Sequence, residues 1–83
     1  MSQMARSPKQ LGVAIQQQRF KRAMSQSELA KLTGTSQKTI SKVENGNPAT
    51  KIETVFALMA ALDMQMTLLS RSKTASKNIG DIF

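Results

Sequence analysis

Gln37, Lys38, Ser41 and Lys42 place two lysine ammoniums, a primary amide and a hydroxyl at the spacing of one helix face. Groups of these types read the edges of base pairs. Glutamine bonds adenine at two points, lysine donates to O6 and N7 of guanine, and serine serves either base. Ser25, Gln26, Ser36, Thr39, Asn45 and Asn47 lie at or near predicted helix ends. Free backbone amides point outward at a helix N-terminus and suit phosphate oxygens, so these six are candidates for contact with a nucleic-acid backbone.

Such a face must be held by short helices, and the surrounding signals supply them. Ser7-Pro8 reads as a cap followed by a first helical proline. Leu11, Ala14 and Ile15 continue a buried stripe to about Arg22, with Arg19 next in line. Ser25 and Glu28 form an S-x-x-E capping box. Leu29, Ala30 and Thr33 share the inner face of that second helix, Leu32 falls outside it, and Gly34 ends it. Ser36 or Thr35 caps a third helix running through Glu44, with Ile40, Val43 and Glu44 on its inner side. Arg19 and Glu44 are thus two opposite charges on buried stripes, and a structural ion pair between them is expected.

"NGNPAT" reads as a turn, after which Thr50 and Glu53 repeat the capping-box spacing. The fourth helix is expected to bury Ile52, Val55, Phe56, Met59 and Leu62. Beyond Asp63 the pattern alternates. Met64, Met66 and Leu68 fall on one side of a short predicted strand. A lone strand leaves its backbone groups unpaired, so a second copy of the chain is the expected partner and these three residues the expected dimer interface. The competing reading continues the fourth helix or adds a fifth. Residues 71–83 are small, polar and basic, as in a disordered tail, but end in Ile79, Ile82 and Phe83, which fits either noise or a partner-docking tip.

Composition narrows the function. The 83 residues carry a net charge of +7. From Arg6 to Lys51, nine basic residues stand against two acidic ones, which points to a polyanionic partner. Three phenylalanines and no tryptophan or tyrosine argue against stacking on single strands. With no cysteine or histidine the chain has neither disulfides nor the usual zinc or haem ligands, no cofactor is expected, and a cytoplasmic, nucleoid-associated location is favoured. No stretch approaches a membrane span. Enzymatic work is disfavoured, since general acid–base chemistry usually calls on histidine or a perturbed carboxylate, and Glu28, Glu44 and Glu53 have structural readings.

The run "SQSELAKLTGTSQKTISKVENG" closely resembles the helix-turn-helix of the phage-repressor-like (XRE) family, through Gln26, Glu28, Leu29, Ala30, Gly34, Thr35, Gln37, Ile40, Ser41, Glu44 and Gly46. One departure is Thr33, where an aliphatic residue is usual. The following "TKIETVFALMAALDMQMTLLSR" resembles the end of HipB-type antitoxins, in which the fourth helix leads into a strand paired across a dimer. The resemblance implies a mostly α fold: a four-helix phage-repressor-like helix-turn-helix domain followed by one short C-terminal β-strand pairing across a dimer. It also implies duplex operator DNA, base contacts from Gln37, Lys38, Ser41 and Lys42, contact from Gln26, an Arg19–Glu44 pair, self-repression of an operon, and a HipA-type serine/threonine kinase toxin as partner. The expected organisation is an N-terminal arm at 1–6, the DNA-binding domain at 7–63, a dimerisation strand at 64–70 and a tail at 71–83. A stand-alone phage-type or metabolic repressor shares every DNA-facing residue, and a protein-only adaptor would lack salt-dependent affinity for duplex DNA.

Overall fold

The computed structural model describes residues 4–70. Four helices follow in order: α1 (Pro8–Lys21), α2 (Gln26–Thr33), α3 (Gln37–Glu44) and α4 (Ile52–Ala61). Local chemistry sets most of the starts. Ser7 caps α1 by accepting from the Gln10 amide, with Pro8 in the first turn. Ser25 and Glu28 complete a reciprocal capping box on α2. Ser36 caps α3 by accepting from the Thr39 amide.

All four helices end in the same way, with a residue in the left-handed region and a bond from the next amide back to the last turn. Those residues are Ala23, Gly34, Gly46 and Asp63. The returning bonds run from Met24, Thr35, Asn47 and Met64 to the carbonyls of Arg19, Ala30, Lys42 and Met59. Glycine takes that conformation freely at 34 and 46. Ala23 and Asp63 take it against their Cβ atoms.

α3 is wedged between α1 and α2, and α4 closes the other side of α2. Ile15, Leu29, Ile40, Leu58 and Leu62 are fully buried where the helices meet. Gln18 ties α1 to the end of α4 by donating from Nε2 to the Leu62 carbonyl at 3.1 Å. Thr33 sits half-buried and returns its hydroxyl to the Leu29 carbonyl at 2.8 Å, so the polar atom is satisfied within its own helix.

Two expectations need correction. The second capping box does not form. Lys51 occupies the N-cap of α4 with no side-chain bond, and the Thr50 hydroxyl donates instead to the Asn47 carbonyl at 2.9 Å. The turn before α4 claims the residue that the spacing assigned to the helix. The buried face of α4 is also rotated: Val55, Leu58, Met59 and Leu62 are inside, whereas Ile52 and Phe56 are exposed. In a helix apolar nearly all round, spacing alone did not choose between two stripes. Among the described residues of one chain no strand occurs; the strand is expected only where a second copy pairs with it. α4 stops at Ala61, ruling out its continuation, and 64–70 carries no regular hydrogen bonding. Within one chain it meets no sheet edge with which to pair. The expectations for Ile79, Ile82 and Phe83 lie outside the described residues.

Candidate nucleic-acid interface

The outward side of α3 gathers the four expected base readers. Gln37, Lys38, Ser41 and Lys42 line one shallow, open concavity of about 470 Å³, and Gln26 joins them from the start of α2. Gln37, Lys38 and Lys42 are exposed, and Ser41 is half-buried. Two ammoniums make the surface positively charged, and two amides and a hydroxyl give it hydrogen-bonding groups. α2 leads into α3 through the three-residue turn Gly34–Ser36.

α3 is anchored from behind. Arg19 meets Glu44 through two bonds, Nε to Oε2 at 2.6 Å and Nη2 to Oε1 at 2.9 Å. This fork-to-fork geometry is the strong form of the interaction. Both residues are about 95% buried, which only a paired charge tolerates. The remaining guanidinium nitrogen, Nη1, donates to the Met24 carbonyl at 2.9 Å, and the guanidinium carbon lies 4.6 Å from the centroid of the Phe20 ring. The hydrogen bond to Glu44 pushes the Arg19 pKa above its ordinary value, burial acts against it, and the Glu44 charge adds to the rise. One pair therefore fastens α1, the turn before α2, and the C-terminus of α3.

The backbone-contact candidates divide by what already occupies their side chains. Ser25 accepts from the Glu28 amide, and Ser36 and Thr39 bond each other at 3.0 Å. The Ser25 and Ser36 hydroxyls serve as caps and Thr39 is tied to Ser36, leaving the first main-chain amides of α2 and α3 as the free donors. Asn45 donates to the Ser41 hydroxyl at 3.5 Å. Asn47 accepts from the Ala49 amide at 2.8 Å, which shapes the loop before α4. Gln26 does something spacing did not reveal. Its Nε2 donates to Glu44 Oε1 at 3.0 Å, and its Oε1 faces Gln37 Nε2 at 3.5 Å. Gln37 Oε1 also accepts from the Ser27 hydroxyl at 3.2 Å. Ser27 was not among the expected site residues, and its place in the sequence, two residues into a helix, gives no sign of this role.

Within one chain the expected dimer residues differ in burial. Met64 packs against the core of its own chain. Met66 is 41% exposed and Leu68 87% exposed, and Leu69, expected on the opposite side, is exposed as well. No metal-binding cluster occurs among the described residues, and none of their helices is long and apolar enough to cross a membrane.

The family model described as helix-turn-helix matches residues 15–69. Antitoxin HipB of Escherichia coli O6:H1 (strain CFT073) is 41% identical over 70 residues, which span 84% of this chain and 73% of that protein. Antitoxin HipB of Escherichia coli K12 is equally identical, over 78% of its length. Among solved structures, a HipB–O4 20mer complex contains a chain that superposes with a TM-score of 0.80 at 38% identity, covering 86% of this chain and all of that one. A chain of a HipA–HipB–O2–O3 complex superposes with a TM-score of 0.78 at 40% identity, with the same coverage. An exposed polar and basic α3, a buried ion pair behind it and this likeness over most of the length agree: the chain belongs to the helix-turn-helix family, alongside the HipB antitoxins.

Proposed function

We propose that the chain is a dimeric, sequence-specific DNA-binding repressor that controls its own operon and serves as the antitoxin of a HipA-type serine/threonine kinase, acting in the cytoplasm at the nucleoid. The observation that carries this is the α3 surface: Gln37, Lys38, Ser41 and Lys42 brought together and exposed in a chain 41% identical to antitoxin HipB. Gln37, Lys38, Ser41 and Lys42 enter the major groove and read bases. Ser25, Gln26, Ser36, Thr39, Asn45 and Asn47 bind phosphates, largely through main-chain amides. The HipB complexes named for O2 and O4 20mers and for HipA support DNA and a kinase as the two partners.

Dimerisation rests on apolar groups that one chain leaves bare. Ile52, Phe56, Met66, Leu68 and Leu69 are all exposed, and they follow one another from α4 into 64–70. In a dimer, 64–70 pairs with its own copy as a two-stranded antiparallel ribbon and draws the apolar groups of α4 beneath it. The two α3 helices then stand about 34 Å apart, one turn of DNA. The protein binds and represses, and its residues have no catalytic assignment.

A fluorescence-anisotropy titration against the duplex upstream of the protein's own coding sequence, beside a scrambled duplex, tests the repressor. Preference for the upstream duplex is expected, and equal affinity for both overturns self-repression. Co-purification with the kinase encoded beside it tests the antitoxin. DNA binding without kinase binding leaves a stand-alone repressor.

A further inference from the structure

Glu44 touches no candidate base-reading atom, yet the hydrogen bonds leading outward from it end on one. Its Oε1 accepts from Arg19 Nη2 at 2.9 Å and from Gln26 Nε2 at 3.0 Å. A carboxylate only accepts, so Gln26 must turn its NH2 inward and its carbonyl oxygen outward. The flipped amide would set oxygen against oxygen beside a buried charge. Gln26 Oε1 faces Gln37 Nε2 at 3.5 Å, a long contact that acts chiefly by aligning dipoles. The opposite end of the Gln37 amide, Oε1, accepts from the Ser27 hydroxyl at 3.2 Å. That hydroxyl rotates to donate or accept, so it follows the amide and does not set it.

We infer that Glu44 is a specificity-determining positioning residue: acting through Gln26, its carboxylate fixes which end of the Gln37 amide donates and which accepts. The inference rests on the base-reading role proposed for Gln37. An amide nitrogen has two hydrogens and an amide oxygen two lone pairs. After Gln26 and Ser27 have each taken one, Gln37 retains one donor and one acceptor. Those match N7 and the N6 amino group of adenine. Reversed end for end, the same amide on the same backbone would press donor against donor. The buried pair thus selects the base without approaching it.

The test uses the full chain as wild type, Gln37→Ala, Gln26→Met and the double variant Arg19→Met/Glu44→Leu, each checked for helix content by circular dichroism. The probe is the duplex from upstream of the protein's own coding sequence, with each adenine in turn replaced by 7-deazaadenine, which lacks the N7 acceptor. Wild type should lose about five- to tenfold in affinity at one or more adenines, and Gln37→Ala should lose nothing there. Gln26→Met and the double variant should reduce that penalty to about twofold or less, as expected when the N7 bond is no longer held. A lost phosphate contact would weaken both duplexes equally and leave the ratio intact. A full penalty retained in Gln26→Met overturns the relay while Gln37 still reads adenine. No penalty at any adenine in wild type overturns that reading, and the relay with it. Gln26→Met leaves the ion pair in place, so a full penalty retained there overturns the relay even should the double variant fail to fold.

Discussion

Gly12 and Glu44 meet with only backbone between them. A Cβ on Gly12 would stand 2.7 Å from the Glu44 carbonyl oxygen, and the Val43 carbonyl is also in its way. The close approach of α1 to α3 brings Arg19, about two turns further along the same face of α1, within bidentate reach of Glu44. Gly12→Ala would push the two backbones apart. A loss of about 1–3 kcal/mol is expected from such overpacking, read as a lower urea midpoint with unchanged slope.

The ion pair should respond asymmetrically to substitution. Arg19→Met alone strands the Glu44 carboxylate and is expected to cost on the order of 3–5 kcal/mol. Arg19→Met combined with Glu44→Leu should recover most of that loss, since an apolar pair of similar volume needs no partner. Urea denaturation of the three proteins gives the comparison. Alkali should not weaken the arginine side of the pair. Its pKa is raised in the fold, so its contribution is complete below the unfolded value and fades only in extreme alkali.

Ala23 ends α1 with φ at +52°. Ala23→Gly removes the Cβ conflict there and adds some backbone freedom to the unfolded chain. The first effect exceeds the second by about 0.5–1 kcal/mol, so the variant should melt at a higher temperature. An unchanged or lower Tm would show that the turn carries no strain.

Gln37→Ala and Lys42→Ala should weaken DNA binding in different ways. Gln37→Ala is expected to cost about 1–3 kcal/mol on the operator and almost nothing on scrambled duplex. Lys42→Ala removes a full charge as well as a base contact, so it weakens both duplexes and lowers the slope of log affinity against log salt by about 1. Titrations at several salt concentrations separate the two, and equal losses for Gln37→Ala on both duplexes would remove it from base reading.

Leu68 is the most exposed large apolar residue among the described residues. Leu68→Asp should halve the mass seen by sedimentation by setting two carboxylates together in the shared ribbon. An unchanged mass places the dimer contact elsewhere, with the exposed Phe56 of α4 the next residue to substitute.

The sequence was most legible where a few neighbouring residues decide the outcome. Ser7 with Pro8, Ser25 with Glu28, and Gly34 each act within one turn, and each does as its chemistry suggests. Arg19 and Glu44 were legible because a charge on an apolar stripe demands an opposite charge. Thr50 misled because two local bonds compete for one hydroxyl, and the turn won. Leu58 was missed in favour of Ile52 and Phe56 because α4 is apolar on more than one side. Gly12 and the contact of Gln26 with Glu44 depend on how helices distant in sequence come to lie together, which no local pattern encodes. The alternation at 64–70 shows which residues share a side, but a pairing partner is not written into one chain's periodicity.

α3 has only eight residues. An isolated helix of that length does not persist in water. It exists because α1 and α2 grip it through Ile40, Val43 and Glu44, and those contacts disappear only when the core itself opens. A form in which α1 and α2 have let go of α3 is therefore not expected to keep its hold on DNA. Inner amides of α3 should exchange with deuterium at the rate of global unfolding, and any protease or stress that opens the core releases the operator in the same event.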